Sequence, residues 1–179
     1  MGYVERNQAL REEFQEKIST INKDDLVYMD ESGMNDNEVL PYGWMHKSSR
    51  LYGLKKSKKS KRVSVLAALL NSEIHAPFSF EGSCDRTVFE LYLSKVLLPI
   101  LPSGKILVLD NASFHKGGNI KILIENAGCS LLYLPPYSPD YNPIEHKWFP
   151  LKHNTRKLME FQNLDLNDAL QKVLTIGKH

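Results

Sequence analysis

Three carboxylates stand where a pair of divalent cations could be held. Asp110 ends the apolar run Ile106-Leu107-Val108-Leu109, and Glu145 follows it after 34 intervening residues. Asp30 ends a second short apolar run, Leu26-Val27-Tyr28-Met29. Two strand-end aspartates and one helix-start glutamate supply the hard oxygen ligands that Mg2+ and Mn2+ prefer. Two such ions, ~3.5–4 Å apart, stabilise the attacking and leaving oxygens of an in-line displacement at phosphorus, the chemistry by which DNA is cut and joined. Glu31 is the neighbouring rival to Asp30. Successive strand residues point to opposite faces, so only one of the two can face Asp110.

Each carboxylate also has a simpler role open to it. An Asp after a strand serves turn chemistry by accepting bonds from nearby amides. Asp110, Asn111 or Ser113 could cap a following helix. Asn142 as N-cap, Pro143 in the first turn and Glu145 at the third position make a capping-box-like start. Against this, the run before Asp110 reads as a central buried strand, where an uncompensated carboxylate is costly unless a cation binds it.

The blocks Met29-Asp30-Glu31-Ser32-Gly33, Leu109-Asp110-Asn111-Ala112-Ser113-Phe114-His115-Lys116 and Leu134-Pro135-Pro136-Tyr137-Ser138-Pro139-Asp140-Tyr141-Asn142-Pro143-Ile144-Glu145, with Trp148 behind, occur in that order. In wording, and in the 34-residue gap between the second aspartate and the glutamate, they resemble the DDE transposases of bacterial insertion sequences and their mariner-like relatives. The resemblance selects Asp30 over Glu31 and implies that Asp30, Asp110 and Glu145 are the catalytic, metal-holding set for two Mg2+ or Mn2+ ions. It also implies supporting roles for Asn111 and Asn142, and a phosphate contact or carboxylate-orienting role for His115. Insertion at a TA dinucleotide is implied in the same way.

The elements that must position these residues follow from periodicity. Leu10, Phe14 and Ile18 recur at helical spacing, which predicts a leading amphipathic helix within residues 1–22. Residues 23–179 then form the catalytic domain. Leu26–Met29 reads as a short strand with Asp30 at its exit, and Arg62–Leu70 with Ile74–Phe80 as a tight hairpin. A helix after Asp85 stops before Pro99 and Pro102, and a strand runs from Lys105 to Leu109. A helix from about Lys116 to Asn126, a strand from Ser130 to Leu134 and a last helix from Pro143 complete the order. Pro150 lies inside that helix, so a kink or break near Phe149 is expected. The whole predicts an α/β mixed sheet, an antiparallel hairpin plus parallel strands flanked by helices, and the resemblance implies a ribonuclease-H-like fold.

Size and charge narrow the partners. At 179 residues the chain suits one domain, burying roughly 70% of its unfolded surface. Net charge is +2, yet residues 39–72 contain no acid and eight bases, namely Lys47, Arg50, Lys55, Lys56, Lys58, Lys59, Lys61 and Arg62. Such a cluster draws a polyanion by releasing its counterions. Lys55, Lys56, Lys58, Lys59, Lys61 and Arg62 are therefore expected DNA contacts, the resemblance implies His115 and Lys116 as further ones, and Trp44, Trp148 and Tyr137 are aromatics that could stack on bases or simply pack. Cys84 and Cys129 are widely separated, with no C-x-x-C pattern, so neither zinc nor a disulfide framework is indicated. No apolar stretch reaches the length of a membrane span, and a cytoplasmic, nucleoid-associated protein is expected.

The expectation is a transposase catalytic domain that cleaves and joins double-stranded DNA at transposon ends and target, as a homo-oligomer on DNA. A hydrolytic nuclease of the same fold and a non-catalytic DNA-binding remnant are the alternatives. A single amphipathic helix before the first strand cannot supply paired recognition helices, so an upstream helix-turn-helix partner segment is expected to find the ends.

Overall fold

A computed structural model describes residues 7–37 and 60–176. Lys47, Arg50, Lys55, Lys56, Lys58, Lys59 and Trp44 lie outside the described residues. The elements in chain order are α1 (Gln8–Ser19), β1 (Leu26–Asn35), β2 (Arg62–Leu70), β3 (Glu73–Glu81), α2 (Arg86–Tyr92), β4 (Ile106–Leu109), α3 (Ile120–Asn126), β5 (Ser130–Tyr133), α4 (Glu145–Gln162) and α5 (Leu166–Ile176). They build one five-stranded sheet in the order β3-β2-β1-β4-β5. β1, β4 and β5 are parallel, and β2 and β3 are antiparallel additions.

The hairpin turns on Asn71 and Ser72, both at positive φ (50° and 66°), the backbone hand that lets a two-residue loop follow the strand twist. Further along, the pairing slips between Leu66 and Ala68, and Ala76 takes φ 49° just before Pro77. A bulge on an edge strand is where a proline without an amide proton is tolerated. β2 is buried along nearly its whole length, which explains why it reads as a continuous apolar run.

Apolar side chains cover both faces of the sheet. On one, Val27, Met29, Leu66, Ala68, Leu107 and Leu109 pack under Phe89, Tyr92, Leu93 and Leu97 of α2 and its continuation and under Ile120 and Ile124 of α3. That continuation is a π turn over Leu93–Leu97 followed by a 3-10 turn. On the other, Met34, Val63, Val65, Ala67 and Leu69 meet Ile144, Trp148 and Leu151 together with Leu166 and Leu170 of α5. Phe14 of α1 joins Leu26, Val108, Leu132 and Leu134 on this second face. A Leu107→Ala truncation at this fully buried position would cost about 2–5 kcal/mol.

The structure departs from the sequence expectation in five places. β1 does not end at Met29 but continues to Asn35, because β2 pairs with it from Tyr28 to Asn35 while β4 pairs only as far as Tyr28. α3 starts at Ile120 and not near Lys116, since Gly117 and Gly118 take φ 79° and 59° and interrupt any helix there. The last strand of the sheet stops at Tyr133, one residue early. α4 begins at Glu145 with no side-chain cap and runs unbroken through Pro150. Pro150 is exposed while Trp148, Leu151 and Thr155 of the same helix are buried, so packing of the inner face holds the helix across the missing amide. Finally, α5 is a further helix beyond the expected set; Asp165 starts it by accepting from the Asp168 amide at 2.9 Å.

The far end of β1 is closed onto the start of β2. Asp36 N–H donates to Lys61 O at 3.0 Å, and Asp36 Oδ1 accepts from the Lys61 amide (3.0 Å) and from Ser60 Oγ (3.1 Å). Residues 36 and 61 are therefore pinned together.

Candidate active site

Sheet register brings the two aspartates side by side. Tyr28 pairs with Val108 as the last parallel rung between β1 and β4, and Asp30 and Asp110 each lie two residues further on. Equal offset in parallel strands puts both side chains on the same face. Asp30 is thus within β1, not at its exit, but at the point where its parallel neighbour leaves the ladder and opens a gap. Glu31 points the other way, accepting from Ser64 Oγ at 2.7 Å and lying 3.7 Å from Arg62. Gly33 makes room for this pairing, since a Cβ there would sit 2.5 Å from Arg62 Nη2.

Glu145 reaches the same cleft from α4. A pocket of about 140 Å³ is lined by Asp30, Asp110, Asn111, Leu134, Pro135, Tyr137, Ser138, Pro139, Asn142 and Glu145. The capping box is not formed. Asn142 is buried and its Nδ2 donates to Met29 O at 3.2 Å, tying the start of α4 to the strand that carries Asp30. Asn111 Nδ2 donates to Leu134 O, joining the exits of β4 and β5. Both supporting asparagines act on the backbone that frames the cleft.

The two aspartates have opposite electrostatics. Burial pushes Asp30 up from 3.8 to about 7; the charges of Glu145 and Asp110 push the same way, while the Trp148 indole and the Glu31 amide oppose. Trp148 Nε1 donates to Asp30 Oδ2 at 2.7 Å. At Asp110 burial also raises the pKa, but bonds from His115 and the Ala112 amide, with the charges of His115 and Lys116, outweigh it and hold the group below its usual value. Asp110 is an anion that only accepts, so the His115 Nδ1 atom 2.5 Å away carries the proton. Its Nε2 is buried with no hydrogen-bond partner among the described residues, where Phe89 and Phe114 enclose the ring at 4.3 and 4.2 Å.

This donor set fits hard divalent cations. Three carboxylates face one cleft, and one of them is forced toward its protonated form by burial and its neighbours, a penalty that a bound cation removes. Among the described residues no three His, Cys, Asp or Glu side chains are close enough together to hold a metal ion as they stand; Glu145 is exposed at the first turn of α4.

The family described as DDE superfamily endonuclease matches residues 25–166, which includes all three carboxylates. The chain belongs to that superfamily. It is 26% identical over 83 residues to protein y4pE/y4sA of Sinorhizobium fredii (strain NBRC 101917 / NGR234), covering 46% of this chain and 59% of that protein. Among solved structures, the Mos1 strand transfer complex superposes with a TM-score of 0.64 at 14% identity, over 95% of this chain and 57% of that one. The mariner Mos1 paired end complex with Mg gives 0.65 at 15% identity, over 82% and 47%. A simian T-cell lymphotropic virus intasome gives 0.54 at 14% identity, over 84% and 47%. These likenesses establish the ribonuclease-H-like fold, and the chain spans 59% of the length of its Sinorhizobium relative and 57% of that of the Mos1 chain. No helix among the described residues is long and apolar enough to cross a membrane.

Other residues of this DDE superfamily member fall differently from expectation. His115 is 2% exposed, which removes it from the DNA-facing set and leaves it orienting Asp110. Lys61, Arg62 and Lys116 are exposed; Arg62 is partly engaged by Glu31, and Lys116 stands 5.9 Å over the Tyr133 ring. Trp148 is 4% exposed and packs, whereas Tyr137 is 53% exposed at the mouth of the cleft. Sequence reasoning missed the Trp148–Asp30 bond and the burial of Arg11 in α1. Position Trp148, three residues after Glu145 on one helix face, is the signal that could have found the first; a lone arginine in an amphipathic helix gave none for the second.

Proposed function

We propose that this domain is the catalytic part of a transposase, cleaving DNA strands at transposon ends and joining them to a target duplex. The observation that carries the reading is the register: Asp30 and Asp110 each stand two residues past the last rung between the parallel strands β1 and β4, lining a cleft that Glu145 also lines. Asp30, Asp110 and Glu145 would hold two Mg2+ or Mn2+ ions, which when bound supply charge stabilisation for displacement at phosphorus and lower the pKa of water. The chain's own contribution is orientation. His115 fixes the rotamer of Asp110, Trp148 fixes that of Asp30, and Asn142 sets the height of α4 relative to β1. In cleavage, a water oxygen bonds to phosphorus as the P–O3′ bond breaks, and the freed 3′ oxygen takes a proton. In joining, that 3′ hydroxyl oxygen gives up its proton and bonds to a target phosphorus as the target's own P–O3′ bond breaks, and the released target 3′ oxygen takes up a proton, with no covalent protein intermediate.

Double-stranded DNA, both the transposon ends and a target with TA, is the substrate under this reading. The working form is a homo-oligomer on DNA, and a helix-turn-helix segment acting with this domain chooses the ends. Incubation with Mg2+ or Mn2+, a pre-cut donor end and a TA-containing target separates the possibilities. Joined products that disappear in Asp110→Asn support the transposase. Cleavage without joining would assign a hydrolytic nuclease, and metal-independent binding without either would assign a non-catalytic DNA-binding remnant.

A further inference from the structure

We propose that Arg11 of α1 is a positioning residue for Glu145, acting through the turn that leads into α4. Arg11 is a charged side chain only 9% exposed. Its Nη1 donates to Ser138 Oγ at 2.7 Å and to Asp140 Oδ1 at 3.2 Å, and its Nη2 donates to Asp140 Oδ2 at 2.7 Å. The guanidinium also lies 4.0 Å above the Tyr141 ring, which Phe14, one helical turn along α1, stacks at 5.6 Å with planes 13° apart. Four successive residues, 138 to 141, are thus spanned by contacts from one helix. Asn142, Pro143, Ile144 and Glu145 follow directly.

Between β5 and α4 the chain has no sheet or long helix to fix it. Asn142 fastens it to β1 through Met29 O, and the Arg11 fork supplies a second attachment, from α1. Ile144, Trp148 and Leu151 seat α4 on the sheet, and these two attachments add restraint to the turn from which the helix starts. A planar guanidinium that binds a carboxylate through both nitrogens gives geometric as well as electrostatic restraint. Lysine cannot reproduce that fork. α1 lies outside residues 25–166 that match the family, so this restraint comes from a part of the chain beyond the matched stretch. The inference rests on the proposed role of Glu145, but the loop restraint itself is measured independently.

The test uses the full chain with Arg11→Gln, Arg11→Lys and Asp140→Asn, read first by amide hydrogen exchange in metal-free buffer. Arg11→Gln should exchange at residues 141–148 about tenfold faster than the unaltered protein, with amides of β1 and β4 unchanged. Mn2+ binding, followed by electron paramagnetic resonance, should weaken about fivefold or more, and Arg11→Lys should recover less than half of either effect. Should Arg11→Gln fail to fold, Asp140→Asn, which leaves the Ser138 bond and the Tyr141 contact, carries the same measurement. Equal exchange at 141–148 in a folded variant would overturn the proposal, as would faster exchange spread evenly through the sheet. If the unaltered protein neither binds Mn2+ nor cuts DNA, the functional reading fails, while the exchange pattern still decides the role of Arg11.

Discussion

Replacing Asp30 by Asn should make the metal-free protein more stable, and by an amount that depends on pH. Burial and the neighbouring carboxylates raise Asp30 from 3.8 to about 7 in the folded chain. Between about pH 4 and pH 7 the folded state therefore holds more protons than the unfolded state, so stability falls as pH rises through that window and is level above it. At about 1.36 kcal/mol per pH unit the full effect is at most about 4 kcal/mol. Asp30 keeps some contact with solvent, and we expect roughly half of that, about 2 kcal/mol. The substituted carboxamide carries no charge at any pH, and its oxygen can still accept from Trp148 Nε1. Urea denaturation in a chelator at pH 3.5 and pH 8 measures the difference: near zero at the lower pH, and about 2 kcal/mol in favour of Asp30→Asn at the higher. Adding Mg2+ at pH 8 should stabilise the unaltered protein and leave Asp30→Asn nearly unaffected. A variant that is less stable at pH 8, or a difference that does not change with pH, would show that Asp30 is not the charge the cleft must compensate.

Trp148→Phe keeps most of the ring packing but loses a charge-assisted bond, so it should cost about 1.5–3 kcal/mol by denaturation at pH 8 and move the titration of Asp30 upward. Tyr92 is fully buried and its hydroxyl lacks a partner among the described residues, so Tyr92→Phe should be neutral or stabilising by about 1 kcal/mol in the same assay. Gly118→Ala places a Cβ 2.3 Å from Glu90 Oε1 at a φ of 59°, displacing the carboxylate that accepts from the Asn119 amide, and should cost about 1–3 kcal/mol. Changing Lys55, Lys56, Lys58 and Lys59 to Ala should weaken binding to all duplexes alike and reduce the slope of log affinity against log salt by up to about 3.6, as fluorescence anisotropy would report.

The strands and the hairpin are legible because apolar runs and the positions of Asp and Gly encode them directly, whereas alternation alone allows either Asp30 or Glu31 to face Asp110 and only the family resemblance picks Asp30. β1 reads too short because Asp30, Ser32 and Gly33 look like a turn; what keeps them in a strand is the antiparallel partner β2, a contact 33 residues away for Glu31 and Ser64. The helix expected at Lys116 fails on Gly117 and Gly118, two adjacent glycines that already argue against a helical start. α5 is also readable, since Leu166, Ala169, Leu170 and Val173 repeat at helical spacing behind Asp165. Pro150 misleads in the other direction: its local cost is real, but the tertiary packing of Trp148 and Leu151 exceeds it. The Arg11 fork and the Trp148–Asp30 bond span 129 and 118 residues, and no local pattern announces a contact at that distance.

The pinning of Asp36 to Lys61 gives the basic stretch between them the character of an interchangeable cassette. Its two ends are fixed at one spot, so a change in its length or composition is felt mainly as loop-closure entropy, about 0.6 kcal/mol for each doubling. Asp30 lies six residues upstream of that junction in β1, and Asp110 follows the end of β4. Under the proposed function, a change of charge between residues 36 and 61 would alter the grip on DNA without altering the residues that line the cleft. A graft between Asp36 and Lys61 is the natural place to try.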